Sequence, residues 1–165
     1  MVIFEKMKKI FSLCCVLFLL TACTTLQKDP LQGKTAIYSW EAQGKIRLQC
    51  RRDHLGFYWQ FIDSKGTLLN NKKQKIGHFT HEEIFFQNGD RIAIKAQETL
   101  QKQTENNLPN VLFIAQSDPK NRIYTDITYM VRKNAKGGLP LTVCAPAQQR
   151  QILSIPFSAR YILYR

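Results

Sequence analysis

Carboxylates are scarce in this 165-residue sequence: 12 Asp and Glu stand against 24 Lys and Arg, a formal net charge of +12. Asp53, Asp63, Asp90, Asp118 and Asp126 are scattered, mostly at turn positions. No local carboxylate pair therefore announces acid–base chemistry, although residues distant in sequence still meet in space. Other signatures are missing as well. No Gly-x-Ser-x-Gly turn presents a hydrolase serine. No glycine-rich loop cradles a phosphate, and Gly137-Gly138 reads instead as a tight turn demanding positive φ. The His-Glu-x-x-His order that sets two metal ligands on one helix face is absent. No apolar run reaches the roughly 20 residues that a membrane-spanning helix needs. Long helical periods, internal repeats and low-complexity tracts are lacking too. The sequence thus nominates no catalytic residue and no cofactor.

What is present begins at the N-terminus. Glu5, Lys6, Lys8 and Lys9 form a net-positive head, and Ile10 to Leu20 is apolar apart from Ser12. Small residues then precede a cysteine, in Leu20-Thr21-Ala22-Cys23. Head, short apolar run and small-residue cleavage site are the parts of a secretory signal. Leu-Thr-Ala-Cys resembles the bacterial lipobox, which implies diacylation of the Cys23 thiol, such as by palmitate, and cleavage before it. Several acyl chains anchor firmly where one chain binds marginally. The expected organisation is a signal peptide over residues 1–22, a lipidated polar tether over 23–34 and a single globular domain over 35–165. Met7-Lys8-Lys9 offers an alternative start that leaves the mature protein unchanged. Thr24 stands where an aspartate resembles an inner-membrane retention signal, so the expected location is the outer membrane, facing the periplasm.

Removing residues 1–22 takes away three Lys and one Glu, which leaves 21 basic and 11 acidic residues, net +10. Such charge suits an anionic neighbourhood. For a chain tethered in the envelope that means lipid headgroups or lipopolysaccharide rather than nucleic acid. The densest basic run, Lys72, Lys73 and Lys75, lies between Asn70-Asn71 and Gly77 and is expected on a loop. Cys14 and Cys15 depart with the signal and Cys23 takes lipid, so Cys50 and Cys144 remain. An even pair in an oxidising compartment reads as a disulfide. The competing readings, a metal site or a catalytic thiol, lack a second Cys or His at ligand spacing from either residue.

The mature chain reads as short strands. Lys45 to Cys50 and Arg91 to Ala96 alternate polar and apolar residues. Phe57 to Phe61 is aromatic-rich, and Val111 to Ala115 is a continuous apolar run expected to be buried on both faces. Ile123 to Val131 and Ile152 to Tyr164 follow. Lys65-Gly66, Asn88-Gly89 and Gly137-Gly138 are turn signals, and Asn88-Gly89 is the strongest hairpin signal. The expected fold is all-β, a single-domain antiparallel β-sandwich or barrel. It has at most one short helix, within Ala96 to Glu105.

Several motifs then occur in order. A strand ends in Cys50, Tyr58-Trp59-Gln60-Phe61 follows, and Gly77-His78-Phe79 precedes Asn88-Gly89. Near the end stand Tyr129-x-x-Arg132-x-Asn134-x-x-Gly137-Gly138-x-Pro140, Cys144 and a closing Ala159-x-Tyr161-x-x-Tyr164. This series resembles the secreted family known as domain of unknown function 3455, over about residues 36–165. The resemblance implies a fold with the two cysteines and no established activity. There are departures: the family's Gly-Pro-Thr-Trp run reads His81-Glu82-Glu83-Ile84 here, its turn Asp is Asn88, and a later Trp is Asn110.

Three groups of residues are candidates for chemistry. His78 and His81, with Glu82 or Glu83, are metal-ligand types, but on a strand an odd offset sends the two imidazoles to opposite faces. Trp40, Tyr58, Trp59 and Phe61 belong to a core or line a groove, since aromatic and basic residues together suit sugars or acidic lipids. Arg132 is placed either to bind a carboxylate or to pair within the domain. The reading these support is a membrane-anchored, non-enzymatic module that binds a ligand or partner. The alternatives are an envelope-polymer hydrolase with a loop-built site, or a periplasmic metal binder.

Overall fold

Alternation of apolar and polar side chains suits strands half buried against a core, and eight of them form. Their ranges are β1 Ala36–Asp53, β2 Gly56–Leu69, β3 Lys75–Thr80, β4 Glu83–Phe86, β5 Arg91–Gln101, β6 Asn110–Ser117, β7 Tyr129–Gly137 and β8 Ile152–Tyr164. They come from a computed structural model that describes residues 29–101 and 106–165. Each strand pairs antiparallel with the next, and β8 returns to β1 to close a barrel. Of sandwich and barrel, the chain adopts the barrel. Among the described residues the one helical piece is a 3-10 turn at Pro146–Gln148.

The period of two sorts the faces. Along β1, Trp40, Ala42, Ile46, Leu48 and Cys50 are buried inward, while Lys45 and Arg47 face out. The same phase carries Phe79 on β3, Ile84 and Phe86 on β4, Ile92 and Ile94 on β5, and Met130 on β7 into one core. Each such side chain contributes about 1.5–3 kcal/mol on burial. An apolar lumen with Lys45, Arg47, Lys65, Arg91 and Lys133 outside is the reverse of a barrel whose outer wall meets lipid.

Several expectations are corrected. Lys65-Gly66 is no turn: Gly66 lies inside β2, directly opposite Gly44 of β1. Both glycines face inward, and the Phe79 ring lies across them, within 2.9 Å of where a Cβ at Gly44 would stand. Ala96 to Glu105 forms no helix as far as it is described, because β5 runs on to Gln101 against β6. Within Val111 to Ala115, Ile114 is exposed, so that run is not buried on both faces throughout. Ile123 to Thr128 belongs to the β6–β7 connection, not to a strand. His78 lies on β3, a strand outside those expected from the sequence. Asn88-Gly89 does turn the β4–β5 hairpin, with Gly89 at φ +91°. Gly137 and Gly138 take the positive φ expected of them, +76° and +92°. The β2–β3 loop carries Lys72 and Lys73, and its Asn70 Oδ1 accepts from the Lys72 and Gln74 amides.

One end of the barrel is plugged by aromatics. Trp40 meets Phe86 edge-on at 5.3 Å between centroids, Tyr124 stacks on Phe86 at 3.7 Å, and Tyr38 packs beside Trp40 at 5.5 Å. Tyr124 comes from the β6–β7 connection and is held there by Asp90, which is only 3% exposed. Its carboxylate accepts from the amides of Arg122 at 3.1 Å, Ile123 at 2.9 Å and Tyr124 at 3.0 Å. Burial pushes the Asp90 carboxyl up, but these amides and Asn88 outweigh it and leave the group below its ordinary value. Asp90→Ala strands three amides and should cost about 3 kcal/mol, read from a urea denaturation midpoint. Because the folded-state value is the depressed one, Asp90's contribution is complete above about pH 4. It is lost as pH falls from there through the folded-state value. The wild type should therefore lose stability over that acid window, and Asp90→Asn should flatten the loss.

Candidate functional site

The lumen is packed at the aromatic end and hollow toward the other. The reason lies in strand length. β3 and β4 make a short hairpin that pairs with β2 only up to Lys65↔Thr80 and with β5 only up to Glu83↔Ala93. Beyond those points β2 runs back to Gly56 and β5 runs forward to Gln101. A window is left between them, above the Thr80–Glu83 turn. Behind it lies a cavity of about 460 Å³. That volume falls within the range of about 300–1,000 Å³ typical of small-molecule sites.

The cavity walls are mainly apolar: Ile46 from β1, Phe61 from β2, Ile94 from β5, and Val111 and Phe113 from β6. Thr80, His81 and Glu82 form the sill of the window. A register shift between Arg47 and Leu48 brings Phe61 opposite Leu48, so its ring faces the lumen although it is 48% exposed. Two polar groups stand on the far wall. Arg132 of β7 follows the inward phase of Met130 and is directly opposite Tyr161 of β8. Its Nε donates to the Pro109 carbonyl at 3.2 Å, and its guanidinium lies 5.8 Å from the centre of the Phe113 ring.

The electrostatics of that pair follow from burial. Tyr161 is 3% exposed, and burial pushes its phenol up to about 12, against the opposing pull of Arg132. Burial likewise lowers the Arg132 guanidinium from its ordinary value, while contact with Tyr161 works the other way. Among the described residues no carboxylate forms a salt bridge with Arg132. A cation and a neutral phenol thus share one wall of a largely apolar chamber. Such a chamber can receive and orient an anion.

Of the residues singled out in the sequence, Cys23 lies outside the described residues. Cys50 and Cys144 are joined in a disulfide, with their Cα atoms 5.9 Å apart, tying β1 to the β7–β8 connection. His78 points outward and stacks on Phe85 at 4.7 Å, whereas His81 lines the cavity sill. Among the described residues no group of three His, Cys, Asp or Glu side chains is gathered as for a metal ion. Nor does a hydrogen bond among them join His81 to Ser64 or Thr80, the hydroxyls of the same cavity. The aromatic set divides: Trp40 is core, Trp59 packs beside the core, Tyr58 is exposed and Phe61 lines the cavity. The scattered aspartates serve the fold, with Asp63 ion-paired to Arg47 on the outer wall and Asp90 holding the plug. Tyr161 carries no motif that marks it as a site residue, although its spacing from Ala159 and Leu163 sets it on the inward face.

A second hollow, of about 520 Å³, lies beside the β6–β7 connection. Polar residues such as Lys34, Gln116 and Asp118 border it. Among the described residues no helix is long and apolar enough to cross a membrane. The resemblance to the domain of unknown function 3455 rests on its motifs alone. In comparison with known proteins, the chain matches no family model, no curated protein and no solved structure.

Proposed function

We propose that this chain is an exported lipoprotein, anchored through lipid on Cys23 to the outer membrane and facing the periplasm. Its barrel is a non-enzymatic module that binds a small ligand in the lumen. The observation that carries the binding reading is the 460 Å³ chamber behind the β2–β5 window. Dense packing is the rule in protein interiors, and a chamber with a largely apolar wall, Arg132 and Tyr161 at its back and Glu82 and Lys95 at its edge departs from it in the manner of a ligand site. The anchoring reading stands on the positive head, the short apolar run and Leu20-Thr21-Ala22-Cys23. The excess of basic residues suits an anionic envelope surface.

Each half has its own test. Cys23→Ser should abolish incorporation of a palmitate analogue and leave the precursor uncut, and normal processing of that variant refutes the anchor. Organic extraction of protein isolated from its own host should release a small molecule in near-stoichiometric amount. A clean extract from protein whose chamber is then shown to admit no small molecule refutes the binding reading.

A further inference from the structure

We infer that the chamber takes a single-chain carboxylate, an acyl chain with a free carboxyl head, whose head sits on Arg132 and Tyr161. The inference rests on the binding reading above and names its ligand class.

Three features of the chamber select this class. The first is charge. Arg132 is the cationic side chain that the strand phase directs into the lumen, and only its Nε is committed to a protein carbonyl, that of Pro109. A guanidinium carries five N–H donors in a planar fork that matches a carboxylate. Burying a cation without a counter-charge is expensive, so an anion arriving at this wall recovers much of that cost. The second is the neighbour. The Tyr161 phenol, held protonated by burial, donates a hydrogen bond to an anion and never competes as one at neutral pH. A carboxylate bridging guanidinium and phenol gains charge-assisted hydrogen bonds, about twice as strong as neutral ones.

The third feature is the path from that wall to the window. Val111 and Phe113 lie beside Arg132, Ile46 and Ile94 continue the wall, and half-exposed Phe61 stands at the opening. This is an apolar route for a hydrocarbon tail, which gains about 0.8 kcal/mol for each methylene buried. A chamber of about 460 Å³ has room for one chain of moderate length.

The test uses the processed, lipidated full chain in phosphatidylcholine vesicles. Two photoreactive probes of equal chain length are compared, a diazirine-bearing dodecanoic acid and the corresponding alcohol, with labelled residues located by peptide mapping. The acid should label chamber residues, dodecanoate should compete for that labelling, and the alcohol should label at least tenfold less. Arg132→Met is similar in length and removes a charge that has no carboxylate partner among the described residues, at the loss of the hydrogen bond to the Pro109 carbonyl. It should lower acid labelling at least tenfold, to the level of the alcohol, with the melting transition retained. Tyr161→Phe should lower it a few-fold. Ala96→Trp, at the chamber's edge, should suppress labelling by both probes while leaving Arg132 in place. Equal labelling by acid and alcohol, or unchanged acid labelling in a folded Arg132→Met, overturns the carboxylate and leaves the binding reading standing. Chamber labelling by neither probe, or labelling indifferent to Ala96→Trp, overturns the acyl-chain ligand, and the binding reading falls with it only if the host protein also gives a clean extract.

Discussion

Gly66→Ala should leave no folded barrel, a destabilisation of more than about 4 kcal/mol. A methyl group at this position would lie 2.2 Å from the Gln43 carbonyl oxygen and 2.6 Å from the Gly44 Cα. Both are backbone atoms of the neighbouring strand and cannot rotate aside. The same methyl meets the Phe79 ring at 2.6 Å. Phe79 is nearly fully buried and packs on Tyr161 at 5.2 Å between centroids, so the clash reaches the centre of the core. The comparison with Phe79→Ala separates the causes. If the ring alone were the obstacle, the double variant would regain stability. Because two of the three contacts are with backbone, Gly66→Ala with Phe79→Ala should be worse than either change alone. A soluble Gly66→Ala protein with the wild-type urea midpoint would show that β1 and β2 pair in another register.

Breaking the Cys50–Cys144 bond should cost about 2–5 kcal/mol. The two residues are 94 apart in sequence, and in the chain-entropy account a loop of that length confines the unfolded chain by about 4–5 kcal/mol. The observed loss should be somewhat smaller, because a denatured chain keeps residual structure. Urea denaturation of the oxidised protein against the Cys50→Ala, Cys144→Ala double variant measures it directly. Both half-cystines are buried, so part of the loss reflects packing. Reduction of the wild type without substitution isolates the crosslink. An unchanged midpoint after complete reduction would mean that the bond confers no stability.

Much of this was legible in the chain, for identifiable reasons. Ile152 to Tyr164 emerges with its bounds unchanged because its inward and outward residues alternate cleanly from Phe157 to Tyr164. The Cys50–Cys144 pairing followed from counting cysteines. Gly66 misled because Lys-Gly is a common turn dipeptide, whereas here glycine is demanded by the close approach of β1 and of the Phe79 ring. β3 was hidden because Gly77, His78 and Thr80 dilute its apolar content. β5 beyond Ala96 was hidden because its residues there, Leu100 apart, are polar, so no period shows. Arg132 carried a readable sign: it falls in the inward phase set by Met130, where a charge is out of place. The window carried none. It arises from the difference in length between the β3–β4 hairpin and its neighbours, and so do its partners across the gap. Closure of the barrel was equally invisible, since it depends on pairing between the first strand and the last.

That closing seam has a consequence for how the molecule comes into being. Ala36↔Tyr164 to Gln49↔Ile152 joins strands from opposite ends of the domain, and Thr35 and Arg165 exchange amide–carbonyl bonds beside it. Contacts of such sequence separation form slowly. Until β8 has emerged, β1 and β7 each present a bare edge, and the barrel has no closed state to fall into. For a chain that is exported, as proposed above, this is an advantage in timing. The domain stays threadable while it crosses the membrane and locks only when its last strand has been delivered on the far side.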